Sequence, residues 1–253
     1  MRILLNLHMF KLGLMKKLFI LSILFCASKM SAQFQELNAG IGSAYYYGDL
    51  NTTDAAHAVA LFGESFNMKN FKMSYSLGYR YNFKDRFSIG LNFYHMYLSG
   101  YDSDNKNPTG TDDPTFFRKY RNLSFFTTVN EGFVDLKFEP FRTDNKWNSS
   151  RKWLLSPYVG AGIGFFKFNP KTMYNGQEVE LQPLGTEGQG LAGYGNKYSL
   201  FELVIPISLG IKFVEPERRY SLSLDFNYNH TFTDYIDDVS TVYANPADIT
   251  AAY

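Results

Sequence analysis

Cysteine is almost missing from this chain: its 253 residues hold one, Cys26. Without a second thiol there is no internal disulfide, so the fold must be held by other means. An apolar run long enough to cross a bilayer as a helix, about 20 residues, is missing as well. The best candidate, Leu18 to Ala27, is far too short. Basic excess is absent: 25 Lys and Arg face 24 Asp and Glu, for a net charge of +1. No basic stripe marks the chain for nucleic acid. The glycine-rich run Gly185-Thr-Glu-Gly-Gln-Gly190 lacks both the Lys-Ser/Thr ending and the following helix of a phosphate cradle. No motif asks for a cofactor or a small-molecule substrate.

What is present begins with a leader. Lys16 and Lys17 precede the apolar run, and the small residues Ser31 and Ala32 follow it. Basic, apolar, small is the order of a secretory signal peptide. We place cleavage after Ala32, with Met15 as a candidate start, so residues 1–32 are the leader and 33–253 one mature domain. Phe25 before Cys26 disfavours a lipoprotein signal. The leader carries Arg2, Lys11, Lys16, Lys17 and Lys29 and no acid, so its removal leaves a cysteine-free chain of mildly acidic balance. An exported protein without disulfides is expected to draw stability from a closed sheet in lipid. Aromatic residues make up 18% of the chain, with 24 Phe and 19 Tyr. Transmembrane barrels place such residues in girdles at the two membrane interfaces.

The dominant pattern is period-two alternation, the mark of a strand with two unlike faces. Phe71, Met73, Tyr75, Leu77, Tyr79, Tyr81 and Phe83 share one face, and Lys72, Ser74, Ser76, Gly78, Arg80 and Asn82 the other. A tight turn at Lys84 and Asp85 leads to Phe87, Ile89, Leu91 and Phe93, which predicts a hairpin. Similar alternation predicts strands through Leu37–Tyr47, Val134–Glu139, Leu155–Phe165, Phe201–Phe213 and Tyr220–Tyr228. That makes seven strands and no helix. The polar faces are mostly Gly, Ser and Asn, which suits a crowded lumen better than the charged exterior of a soluble, lipocalin-like barrel. Connections near 84–85 and 215–219 are short, while those near 48–70, 99–120 and 169–198 are long and polar. Short turns at one end and long loops at the other are the habit of outer-membrane barrels. The expectation is therefore an all-β, antiparallel, up-and-down transmembrane barrel of about eight strands in a bacterial outer membrane. Single-chain barrels have an even strand number, so seven leaves two readings, a short strand hidden in 239–253 or a final strand missing from this sequence, and the second is the expectation.

Three stretches carry a resemblance. They are Tyr47-Gly48-Asp49-Leu50-Asn51; Phe168-Asn169-Pro170-Lys171 with the run from Tyr174 through Gly185, Thr186, Glu187 and Gly188 to Gly190; and Thr231 to Ser240, with Asp234, Asp237 and Asp238. Together with Tyr79-Arg-Tyr-Asn-Phe83 they resemble the PorG-like outer-membrane proteins of Bacteroidota, over residues 37 to about 245. The resemblance implies a barrel subunit of the type IX secretion machinery that anchors or accompanies a periplasmic ring of the PorK and PorN type.

The remaining candidates divide by chemistry. In the turn at 140–152, Arg142, Lys146 and Arg151, with Lys152 and the flanking Trp147 and Trp153, offer a basic and aromatic surface for a ring protein. Trp is common in interface hot spots, and an aromatic membrane belt accounts for it equally. Asp234, Asp237 and Asp238 are hard-cation ligands by type, but their spacing matches no EF-hand; carboxylates at a strand end more commonly face water or pair with Lys or Arg, and a third reading has them fold the loop against its neighbours. His57, His95 and His230 raise an alternative, a lipid-modifying hydrolase or acyltransferase on a small barrel. Neither rim histidine sits in a recognisable nucleophile–base motif, so the expectation is a non-enzymatic protein.

Overall fold

The computed structural model describes residues 35–46, 50, 72–84, 86–102, 121–142, 153–215, 220–240, 244–245 and 247–248. The leader read at 1–32 lies outside them. One antiparallel sheet runs through seven long strands: β1 (Gln35–Ala44), β2 (Lys72–Lys84), β3 (Phe87–Tyr101), β4 (Ser124–Phe138), β5 (Leu154–Lys167), β8 (Phe201–Val214) and β9 (Ser221–Thr231). A small hairpin, β6 (Lys171–Tyr174) and β7 (Gln177–Glu180), branches from β4. Each long strand pairs with the next in sequence, so the topology is up-and-down and the sheet curls into an open barrel. Among the described residues β1 and β9 do not pair. Both run in the same direction, as the first and seventh strands of a meander must.

The strands are longer than the alternation alone indicates. β3 and β4 have 15 residues each, more than the roughly 9–11 needed to cross a tilted bilayer. Their two faces are chemically opposite. Outward positions carry Leu37, Leu77, Leu91, Val134, Ile163, Leu209 and Leu224, all exposed. Inward positions carry Arg80, Asp135, Glu131, Lys212 and Ser208, all buried. This inverts the arrangement of a water-soluble barrel.

Glycines on the inner face let those charges meet. Arg80 on β2 and Asp135 on β4 are both register partners of Gly90 on the strand between them. With no side chain at Gly90, the guanidinium reaches across it to both carboxylate oxygens at 2.8 Å. A Cβ there would lie 2.6 Å from Arg80 Nη2 and closer still to Asp135 Oδ1. The device recurs at Gly210, which pairs with Tyr158 on one side and Asp225 on the other. The Tyr158 hydroxyl donates to Asp225 over it. Lumen packing is thus written as glycines in middle strands and long polar side chains in flanking ones.

The lumen is stratified along the barrel axis. At the end of the short turns, Lys212 donates to Glu36 at 3.0 Å and to Glu139 at 3.1 Å, and Ser156 donates to Glu139 at 2.9 Å. The first of these contacts joins β8 to β1 across the unpaired edges. Near the long-loop end the interior becomes apolar, with Leu98, Phe125, Val129, Phe166, Phe168 and Val204 buried together. This explains why β4 begins ten residues before the alternation at Val134 becomes clear: in Ser124–Phe133 both faces carry apolar groups.

Candidate functional site

The three stretches singled out in the sequence meet at the long-loop end. Leu50, wholly buried, donates its N–H to Asp237 Oδ2 at 3.0 Å. Thr186 donates to Asp238 Oδ2 at 2.6 Å, and Ser240 N–H to Glu187 Oε1 at 2.9 Å. Residues far apart in the chain thus form one platform. The local conformations suit it: Gly185 (φ 61°) and Gly188 (φ 85°) adopt the left-handed region, as does Asp238 (φ 69°), closing a 3-10 turn at Tyr235–Asp237. Asn169 accounts for its part by donating its N–H to Thr127 at 2.9 Å and its amide to Glu180 at 2.8 Å. Pro170 is buried and accepts from Leu181 N–H at 2.9 Å. Gly48 and Asp49 lie outside the described residues.

A column of rings backs the platform. Phe166, Phe168, Tyr198 and Tyr235 stack in succession, the last pair with centroids 4.5 Å apart and planes 4° from parallel. The Tyr198 hydroxyl donates to Asp238 Oδ1. Burial raises the Asp238 carboxyl above its ordinary value, against the pull of the Thr186 and Tyr198 hydroxyls, and the charge of Glu187 adds to the rise. Burial likewise pushes the Tyr198 phenol up, reinforced by its bond to Asp238.

Two of the three acidic residues are occupied by hydrogen bonds. Asp237 accepts from Leu50 and Val239 N–H, and Asp238 from two hydroxyls. No group of three or more His, Cys, Asp or Glu able to hold a metal exists among the described residues. Asp234 opens the 3-10 turn without capping it through its side chain.

At the short-turn end the basic surface read from residues 140–152 is only partly visible. Lys146, Trp147 and Arg151 lie outside the described residues. Trp153 is exposed and leans on Tyr220, with centroids 6.0 Å apart. Arg142 departs from the expected surface position: it turns inward, is buried, donates to Asn82, and sits 3.5 Å from Glu139. The carboxylates of the lumen floor draw it in. The sequence reading missed this floor because its members come from five different segments.

The two rim histidines are on the outer wall, on different strands. His95 Nδ1 is 2.8 Å from Asn130 Oδ1, and His230 packs edge-on against Phe232. His57 lies outside the described residues.

These features define an all-β protein whose single antiparallel meander forms an open barrel with a polar interior, an apolar exterior and a structured cap of long loops. The chain belongs to the family described as Domain of unknown function (DUF6089), whose match spans residues 15–248. No curated protein and no solved structure matches it.

Proposed function

We propose that this protein is a transmembrane barrel of a bacterial outer membrane that serves as a non-enzymatic anchor for the type IX secretion machinery. The observation carrying the membrane part is the inversion of faces. Leu91, Val134, Ile163, Leu209 and Leu224 point outward and are exposed, while ion pairs fill the interior. In water such a wall is an aggregation surface; in hydrocarbon it is the solvated one. Aromatic rings bound the apolar band at the short-turn end, where Phe87 stacks with Phe83 and leans at a tilt on Phe138, and Trp153 meets Tyr220. Tyr97 and Phe126 do the same near the loop end. Two such girdles are the mark of barrels in lipid.

The secretion role rests on the PorG-like segments, whose residues build the loop-end platform. Under this reading the short-turn end faces the periplasm and meets ring proteins of the PorK and PorN type, while the exported leader delivers the chain to the envelope. The test compares the secretome of a strain lacking the gene with that of its parent, with porin content as the envelope control. Loss of secreted cargo with intact porins supports the anchor. Normal secretion refutes it, and an altered lipid A profile in that strain would favour the lipid-enzyme alternative.

A further inference from the structure

Charged side chains are scarce on the outer wall. On the outward face of the long strands, among the described residues, Lys167 is the one ammonium or carboxylate, and it has no ion-pair partner there. It sits in a cross-strand row. Asn130 is the register partner of Lys167 on one side and of His95 on the other. His95 and Asn130 hydrogen-bond to each other at 2.8 Å, leaving Asn130 Nδ2 and His95 Nε2 as the remaining polar atoms of that pair.

Directly toward the short-turn end from Asn130 lies Gly132. Its register partners are Phe93 and Phe165, both exposed, so the wall there has two aromatic sides and a bare floor. A Cβ added at Gly132 would meet nothing within 4 Å. The floor opens into a groove of about 680 Å³ running past Leu91, Leu77 and Ala39. Phe165 also stacks on Phe201, centroids 5.2 Å apart, and Phe201 is the register partner of Lys167.

We propose that this row and groove bind one lipid of the outer leaflet, a phosphorylated glycolipid. Its phosphate meets Lys167, Asn130 and His95, and an acyl chain lies over Gly132 between Phe93 and Phe165. The inference rests on the membrane reading and adds a ligand to it. A cation with no ion-pair partner among the described residues, beside an apolar groove, is complementary in charge and shape to an amphiphile with an anionic head. A charge-assisted hydrogen bond is the contact that discriminates phosphate from a neutral head.

The full chain is folded into phosphatidylcholine vesicles containing lipid A or its dephosphorylated form. It is then extracted into mild detergent and weighed by native mass spectrometry. The wild type is expected to retain lipid A in preference to the dephosphorylated form. Lys167→Gln should lower lipid A retention by roughly tenfold. Gly132→Leu, whose Cβ meets nothing within 4 Å, places a side chain in the groove and should lower retention of both forms. Lys171→Gln is the control, since Lys171 already faces Glu178 and Glu180 on the small hairpin. Equal retention by wild type and Lys167→Gln, or no preference for phosphate, overturns the lipid site while leaving the barrel in its membrane. Failure of the wild type to enter neutral vesicles overturns the membrane reading and the site with it.

Discussion

Breaking the ion pair over Gly90 should be among the costliest single changes in the lumen. The Arg80 and Asp135 side chains are 3% and 4% exposed, joined by two bonds of 2.8 Å. Asp135→Ala leaves the guanidinium with Ser88, at 3.3 Å, as its remaining side-chain hydrogen-bond partner among the described residues. Stranding one member of a buried pair costs about 3–5 kcal/mol, whereas replacing both with apolar groups of similar volume is often close to neutral. Asp135→Ala and Arg80→Met should therefore each lose about that much, and the double variant Arg80→Met, Asp135→Leu should recover most of it. Gly90→Ala should resemble the single variants, because its methyl group would intrude on both partners. Gly132→Ala, on the outer wall with open space before it, should stay within about 0.5 kcal/mol of wild type, as surface changes usually do. Urea unfolding of the vesicle-folded protein, followed by tryptophan fluorescence and extrapolated linearly, gives each value. A loss below about 1 kcal/mol for Asp135→Ala, or equal effects at Gly90 and Gly132, would refute the account of the lumen.

Lys212→Met removes the ammonium shared by Glu36 and Glu139, which keep Asn82, Ser156 and Arg142 as partners, so a loss of about 1.5–3 kcal/mol is expected, with hydrogen exchange rising first in β1, which Lys212 ties to β8. Leu91→Arg places a charge in the middle of the apolar band; equilibrium folding into vesicles should weaken by about 2–4 kcal/mol, and an unchanged value would deny that this wall faces lipid. Asp237→Ala leaves the N–H groups of Leu50 and Val239 without their acceptor, costing about 1–3 kcal/mol and exposing the loop platform to limited proteolysis. The raised Asp238 carboxyl means the folded platform binds its proton more readily than the unfolded chain does. Its contribution is therefore greatest at acidic pH and falls as pH rises through the raised value. Protection factors for amides 185–190 and 235–240 should drop on going from mildly acidic to neutral solution, and a rise would contradict the assignment.

The strands and their faces were legible because period-two alternation survives wherever one face is apolar and the other polar. Phe71 to Phe83 and Phe201 to Phe213 are such stretches. Legibility failed where that contrast failed: Phe125 and Val129 point inward among apolar neighbours and Phe133 packs edge-on against Tyr94, so the first half of β4 does not read as a strand. The β6–β7 hairpin was hidden in a polar segment, although Asn175 and Gly176, both at positive φ, form the dipeptide that favours a tight hairpin turn. The loop residues stand as separate stretches in the sequence; their convergence on Leu50, Thr186 and Glu187 depends on long-range closure that local pattern does not encode. A basic residue in a turn usually faces water, so the sequence alone points Arg142 to the surface. Only the register that brings Asn82 and Glu139 beside it shows why it turns inward.

The apolar layer across the loop end of the lumen has a consequence for permeation. Leu98, Phe125, Val129, Phe166 and Val204 offer water no hydrogen bonds, and hydrophobic constrictions of this kind stop ions by dewetting. Charged groups nearer the short turns would hydrate and exchange with solution on that side only. In a planar bilayer the protein should show no unitary conductance.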